Sequence, residues 1–229
     1  MNPMICNTHE LCACAQTGHE PRLVVLTGGP GAGKTAVLEL ARKNFCEHIA
    51  VLPEAASIIF SGGFWRRESI PARKAAQRAI YYVQRELERI VGGERASAIA
   101  LCDRGTLDGL AYWPHSDESF FEELGTTREE ELLKYAAVIH LRTPAAAGGY
   151  NHNNPVRVES ASQAAEIDRR IVNAWDGHPK RVIVESTQDF LIKAATAIDL
   201  IREQLPNCCK GHRIPELSEL ILPVPSIHK

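Results

Sequence analysis

The segment Gly28-Gly29-Pro30-Gly31-Ala32-Gly33-Lys34-Thr35 follows a short β-branched run and opens a helical pattern. Glycine lets a backbone wrap closely around an anion, and successive N–H groups at a helix N-terminus form a nest for phosphate. The G-x-x-x-x-G-K-T spacing therefore predicts a loop that holds the phosphates of ATP or GTP. Its expected contacts are Gly29, Pro30, Gly31, Ala32, Gly33, Lys34, Thr35 and Ala36. Lys34 would reach the β- and γ-phosphates, and the Thr35 hydroxyl would ligand Mg²⁺.

Two further strand ends carry charge. The run from Ala98 to Cys102 ends in Asp103-Arg104-Gly105, which sets a carboxylate at the carboxyl edge of a sheet, where ligands of such folds bind. Asp103 is the expected second protein contact to Mg²⁺, direct or through water, with a turn-forming Asp as the plainer alternative. Arg104 stands where motor ATPases carry a water-polarising Glu, so transfer to a bound acceptor suits this pair better than hydrolysis. The second run ends in Pro53-Glu54-Ala55-Ala56-Ser57. Glu54 is the candidate base for an acceptor hydroxyl; a helix N-terminal Glu stabilised by the dipole is its alternative.

Other groups could complete such a site. Thr143 to Pro155 reads T-P-A-A-A-G-G-Y-N-H-N-N-P, too rich in Gly, Asn and Pro for a regular element, and is a candidate lid loop. Arg157, Arg169 and Arg170 follow it and are expected to supply at least one guanidinium to the phosphates, although each alone reads equally as surface charge. Gln77 and Gln84 could line an acceptor pocket or lie on a solvated face, and Phe64 and Trp65 could stack on a ring or pack in a core. Glu185 to Phe190 falls where a nucleotide base could lie.

Positioning these groups requires a parallel sheet. Short runs at Leu23 to Leu26, His48 to Leu52, Ala98 to Cys102, Ala137 to Leu141 and Arg181 to Val184 alternate with helical patterns, which predicts an α/β fold with helices on both faces. Arg73 to Val91 spaces Ala76, Ile80, Val83, Leu87 and Ile90 by threes and fours, a helix face that Gly92 and Gly93 should end. Asp117 to Tyr135 reads as acidic helical structure, and Arg157 to Trp175 as a helix with Ala164, Ile167 and Ile171 on one side. The organisation expected is an N-terminal tail over 1–21, a P-loop domain over 22–206 with a lid at about 143–175, and a C-terminal tail over 207–229. Leu217, Leu220, Ile221 and Leu222 in that tail would pack on the body or meet a partner.

The chain's 45% hydrophobic and 24% charged residues argue against disorder as its overall state. A net charge of −2 supplies no basic field for long nucleic acid. Met1 to Gln16 lack the features of a signal peptide, and no run approaches the ~20 apolar residues of a membrane span, so a cytoplasmic protein is expected. Seven cysteines scattered along such a chain read as free thiols. Cys6, His9, Cys12 and Cys14, with Cys208, Cys209 and His212, could ligate zinc, but their spacings match no standard module and bland tails are the reading adopted.

G-G-P-G-A-G-K-T, P-E-A-A-S, D-R-G-T-L-D-G, L-R-T-P and A-W-D-G-H-P, in this order from Gly28 to Pro179, resemble an AAA-type P-loop domain family. It is shared by the ribosylnicotinamide kinase part of the bifunctional NAD regulator NadR and by the TRPL translocation defect protein. The resemblance covers roughly Arg22 to Leu205. It implies a P-loop NTPase of the nucleoside-monophosphate-kinase type, a five-stranded parallel sheet of order 2-3-1-4-5 with a lid insert after the fourth strand, and ATP as donor. Glu54 and Asp103-Arg104 also look like the base and acidic-Arg pair of deoxynucleoside kinases. One branch of the family transfers phosphate to a nucleoside-like hydroxyl and another is similar to a GTP-binding, lipid-associated trafficking factor; the expected partners are nucleotide and a small-molecule acceptor. A binding module that orders on ATP or GTP is the alternative. The sequence carries no [NT]-K-x-D guanine-reading motif, which favours ATP, and Arg104 disfavours a ring-forming ATPase. A homodimer is compatible with the sequence.

Overall fold

Five parallel strands form where the apolar runs lie: β1 Arg22–Thr27, β2 Ile49–Leu52, β3 Ile99–Asp103, β4 Tyr135–Leu141 and β5 Arg181–Val184. Helices cover the central β1, β3 and β4 on both sides, whereas the edge strand β5 leaves Val182 and Ile183 exposed. The computed structural model describes residues 18–46, 48–144, 160–187 and 189–207. The strand order is β2-β3-β1-β4-β5, the order that the family resemblance implies. Leu26 pairs with Asp103, and Thr27 with His140, so the P-loop leaves the sheet between the ends of β3 and β4.

Period-two alternation splits the core. Val24, Leu26, Ile99, Leu101 and Ile139 face the helices α1 Lys34–Asn44 and α7 Phe190–Glu203. Val25, Ala100, Cys102 and Val138 face the other layer, which contains α3 Ile70–Glu94, a 3₁₀ segment over Thr106–Tyr112, α4 Asp117–Leu124 and α6 Ala161–Ala174. Trp113, Phe120 and Trp175 fill the second layer as edge-to-face aromatics around the 3₁₀ segment. Two short helices complete the chain, α2 Ala55–Ser61 and α5 Arg128–Leu133, the latter opened by a Thr127–Glu130 capping box.

Three expectations change. Gly92 and Gly93 do not end α3, which continues to Glu94 and stops at Arg95 in a left-handed conformation (φ 54°). The extra turn is held because Arg95 donates Nε–H to the His19 carbonyl (3.0 Å) and accepts the His19 N–H (2.9 Å). The buried face of α3 matches the expected apolar set only in part: Ala76 is buried and Leu87 packs on the core, but Tyr81, Gln84 and Glu88 are buried as well and Ile90 is exposed. Polar members survive there by pairing, since Tyr81 donates to Glu131 (2.7 Å), Gln84 to Glu88 (2.9 Å) and Tyr135 to Glu88 (2.8 Å). Gln84 therefore serves this network and is neither a pocket residue nor a solvated one. Gln77, one face-turn earlier on α3, is half-buried and lies near Gly109 of the 3₁₀ segment.

The third change concerns the lid. The helix after it starts at Ala161, behind a Ser160–Gln163 capping box, and buries Ala164, Asp168, Ile171 and Ala174. Ile171, Ala174 and Trp175 belong to the core, so 161–175 is a body element. The rest of the lid loop, 145–159, lies outside the described residues, as do Arg157, both Cys/His tails and the apolar residues near the C-terminus. No helix among the described residues is long and apolar enough to cross a membrane.

Candidate active site

The P-loop turns between β1 and α1 with a Gly29–Ala32 turn hydrogen bond (Ala32 N–H to Gly29 O, 3.2 Å) and the N-cap Gly33 at φ 95°. Any side chain at 33 would be strained by that φ, and its Cβ would also meet the Phe190 ring at 2.4 Å. The first N–H groups of α1 have no partner within the helix and point at whatever occupies the loop. Lys34 folds back to donate to the Gly28 carbonyl (3.2 Å). Burial and the Arg104 charge lower its pKa to about 8, against the pull of Asp103, Glu54 and Asp108. Thr35 and Ala36 are exposed at the helix entrance.

Glu54 and Arg104 meet directly. Arg104 donates Nε–H to Glu54 Oε1 (2.7 Å), and Ser57 donates its hydroxyl to Oε2 (2.5 Å). Burial pushes the Glu54 pKa up, but Arg104, Ser57 and Lys34 outweigh it and hold the carboxyl at about 2. Glu54 is thus ionised at neutral pH. Arg104 reaches this position from a left-handed backbone (φ 72°), its N–H bonded to the Leu26 carbonyl (3.1 Å). Such a conformation costs a bulky residue about 1–3 kcal/mol and persists where surroundings over-determine it.

What over-determines it is Asp108, which sequence reasoning missed. This buried carboxylate accepts from Thr27 (2.6 Å), Trp175 Nε1 (2.6 Å) and Arg104 (3.3 Å), so one side chain links β1, α6's end and the base–arginine pair. Its signal was the second Asp of D-R-G-T-L-D-G, visible but without a partner that spacing could name. Asp103, at the β3 end, has a buried Oδ1 with no partner among the described residues. Burial raises its pKa, although the Lys34 charge opposes this.

The remaining residues separate. Arg169 is exposed and pairs with Glu166 one turn away (2.6 Å). Arg170 braces the end of the 3₁₀ segment, donating to the Trp113 carbonyl (3.3 Å). Neither is bonded to a P-loop residue among the described residues, because the α6 face they occupy points toward the 3₁₀ segment and solvent while Asp168 takes the side facing the loop. Phe64 and Trp65 are exposed between α2 and α3, with Arg66 over Phe60 and Arg67 over Trp65, each 4.3 Å from the ring centroid. Phe190 lies against the P-loop at the start of α7.

The chain matches a family model described as an AAA domain over residues 23–190. A search of curated proteins found no match. Among solved structures, the chain is similar to the NadR protein in complex with NR, at 18% identity and a TM-score of 0.61, covering 86% of this chain and 54% of that one. The chain thus spans about half the length of that structure. It is also similar to thymidylate kinase from Candida albicans, at 12% identity and a TM-score of 0.53, covering 81% of this chain and 93% of that one. These likenesses establish the kinase-like P-loop fold. With its family model spanning most of the sequence, its loop at the β1–α1 turn and its 2-3-1-4-5 sheet, the chain belongs to the AAA-domain family of P-loop NTPases.

Proposed function

We propose that the protein is a small-molecule kinase that transfers the γ-phosphoryl group of ATP to a hydroxyl of a nucleoside-like acceptor. The observation that carries this reading is the ion pair between Glu54 and Arg104 at the sheet edge beside Lys34, a carboxylate held ionised and aimed by a strained, buttressed arginine. The two similar structures, NadR in complex with NR and a thymidylate kinase, agree with an acceptor of this class.

In this reading the P-loop amides and Lys34 hold the β- and γ-phosphates. Glu54 accepts a hydrogen bond from the acceptor hydroxyl and directs its oxygen at the γ-phosphorus. The new O–P bond forms as the bond to the β-phosphate oxygen breaks, ADP leaves, and the hydroxyl proton passes to Glu54 and then to solvent. A carboxylate with a pKa of about 2 is a weak base, which suffices where the proton leaves late in a loose transition state. Arg104 keeps Glu54 oriented and adds positive charge beside the transferring group. The residues fit Mg²⁺: the buried Oδ1 of Asp103, without a partner among the described residues, and the exposed Thr35 hydroxyl would hold it, and the ion would neutralise phosphate charge. Arg157, Arg169 and Arg170 remain the proposed phosphate-binding arginines; on α6, Arg169 would have to leave Glu166, and Arg170 the carbonyls of Leu110 and Trp113, to take that role.

ADP formation from ATP and Mg²⁺ should appear only with one or a few nucleosides of a broad panel, and Glu54→Gln should abolish it. ADP formation indifferent to every acceptor and to Glu54→Gln would remove the proposal. A second reading, a nucleotide-dependent binding module, draws on the exposed Phe64 and Trp65 with their neighbouring arginines, a surface such a module could present to a partner.

A further inference from the structure

The back of the P-loop, away from the phosphate side, is held by two buried charges of opposite sign that the transfer chemistry does not use. Asp168, on α6, is 2% exposed. Its Oδ1 accepts the Gly29 N–H (2.9 Å) and the His140 Nε2–H (2.9 Å), and its Oδ2 accepts Arg142 (2.9 Å). Lys193, on α7, is 3% exposed and donates to the Ala32 carbonyl (2.8 Å) and the Arg142 carbonyl. Two helices on opposite faces of the sheet thus send one carboxylate and one ammonium to the same four-residue turn.

The polarity of these contacts matters. Gly29 offers a backbone donor and receives an anion; Ala32 offers a backbone acceptor and receives a cation. With those groups bound from behind, neither the Gly28–Gly29 nor the Ala32–Gly33 peptide can flip without breaking a charge-assisted hydrogen bond in a dry setting, and the Ala32 N–H is spent on the turn between them. The packing is equally close: a Cβ at Gly29 would lie 2.5 Å from Thr143 Oγ1 and 2.7 Å from Asp168 Cβ. Burying a lone ammonium or carboxylate is unfavourable, and each here persists because it is hydrogen-bonded on more than one side. Burial lowers the Lys193 pKa to about 8, opposed by Asp168 and Glu185. Burial would raise that of Asp168, but the His140 and Gly29 hydrogen bonds and the Arg142 charge bring it below the usual value.

We propose that Asp168 and Lys193 are positioning residues for nucleotide binding: a charged cradle that locks the Gly29–Ala32 turn so that the amides after it face the phosphates. This rests on phosphate binding by the loop and not on transfer to an acceptor, so it survives or fails independently of the kinase reading.

The test is the affinity of the full-length protein for a fluorescent ATP analogue with Mg²⁺, read beside the melting temperature. Asp168→Ala and Lys193→Met should each weaken nucleotide binding about tenfold or more, the size of one lost charge-assisted hydrogen bond. Asp168→Asn, which keeps an acceptor for Gly29, should lose less and covers the case in which the alanine variant does not fold. Glu131→Gln, on α5 in a buried polar cluster with Thr106 of the 3₁₀ segment, should lower the melting temperature and leave nucleotide affinity unchanged. Nucleotide affinity within about twofold of wild type in folded Lys193→Met and Asp168→Asn or Asp168→Ala overturns the proposal, and so does an equal loss in Glu131→Gln.

Discussion

The donor half and the acceptor half of the candidate site are built by different means. Around Gly28 to Thr35 the backbone itself is the ligand, and its path is set by short contacts to β4, α6 and α7. Around Glu54 and Arg104 the side chains are the site, and the segment after α2 is open to solvent: Trp65 is 69% exposed and Phe64 40%. A backbone-built half tolerates few residue types and so resembles itself across many proteins. A side-chain-built half is free to vary with its acceptor, and that is where specificity resides.

Glu54→Gln should separate the halves most sharply. Loss of the carboxylate should lower kcat by about 10²–10⁴, while nucleotide affinity measured by direct titration stays within about threefold, since no P-loop contact is touched. A parallel loss of nucleotide affinity would break the division. Lys34→Ala is the converse and should reduce nucleotide binding by about 10²-fold through loss of a charged donor, with acceptor affinity preserved.

Asp108 spans both halves. Asp108→Ala strands the Trp175 and Thr27 donors and leaves the Arg104 guanidinium with Glu54 and the Tyr112 ring, so it should cost about 3–5 kcal/mol in chemical denaturation and depress kcat together. Stability loss with kcat intact would show that Arg104 needs no buttress. Trp65→Ala should leave stability within about 0.5 kcal/mol, as for an exposed surface residue, and change only the acceptor KM.

The smallest effect is in the pH dependence. The folded pKa of Glu54, about 2, is depressed below its ordinary value of 4.5, so its contribution to stability is complete above the ordinary value and is lost as pH falls toward 2. Urea midpoints should therefore fall more steeply between pH 4.5 and about 3 in wild type than in Glu54→Gln. For the same reason kcat should show no acidic limb from Glu54 near neutrality; a limb abolished by Glu54→Gln would contradict the ion pair.

Legibility in the sequence followed the same division. The five strands, their order through the family resemblance, and the loop were readable because glycine spacing and β-branched runs encode backbone geometry locally. Glu54 and Arg104 were named separately; that they touch depends on a left-handed Arg104 that no propensity announces. The partners of Asp108, Asp168 and Lys193 were not legible because they lie 81, 139 and 161 positions away respectively, distances no local pattern spans. Gln84 read as a solvated or pocket residue because a buried polar pair on a helix, here Gln84 with Glu88, looks by spacing alone like an exposed one.

Whether the base–arginine pair serves an acceptor hydroxyl is decided by single-turnover reaction of γ-labelled ATP with the protein, Mg²⁺ and a nucleoside panel. Label should appear on a nucleoside hydroxyl in wild type, with no transfer in Glu54→Gln that still binds ATP. Label released only as inorganic phosphate, at the same rate in both proteins, would contradict a role for the pair in transfer.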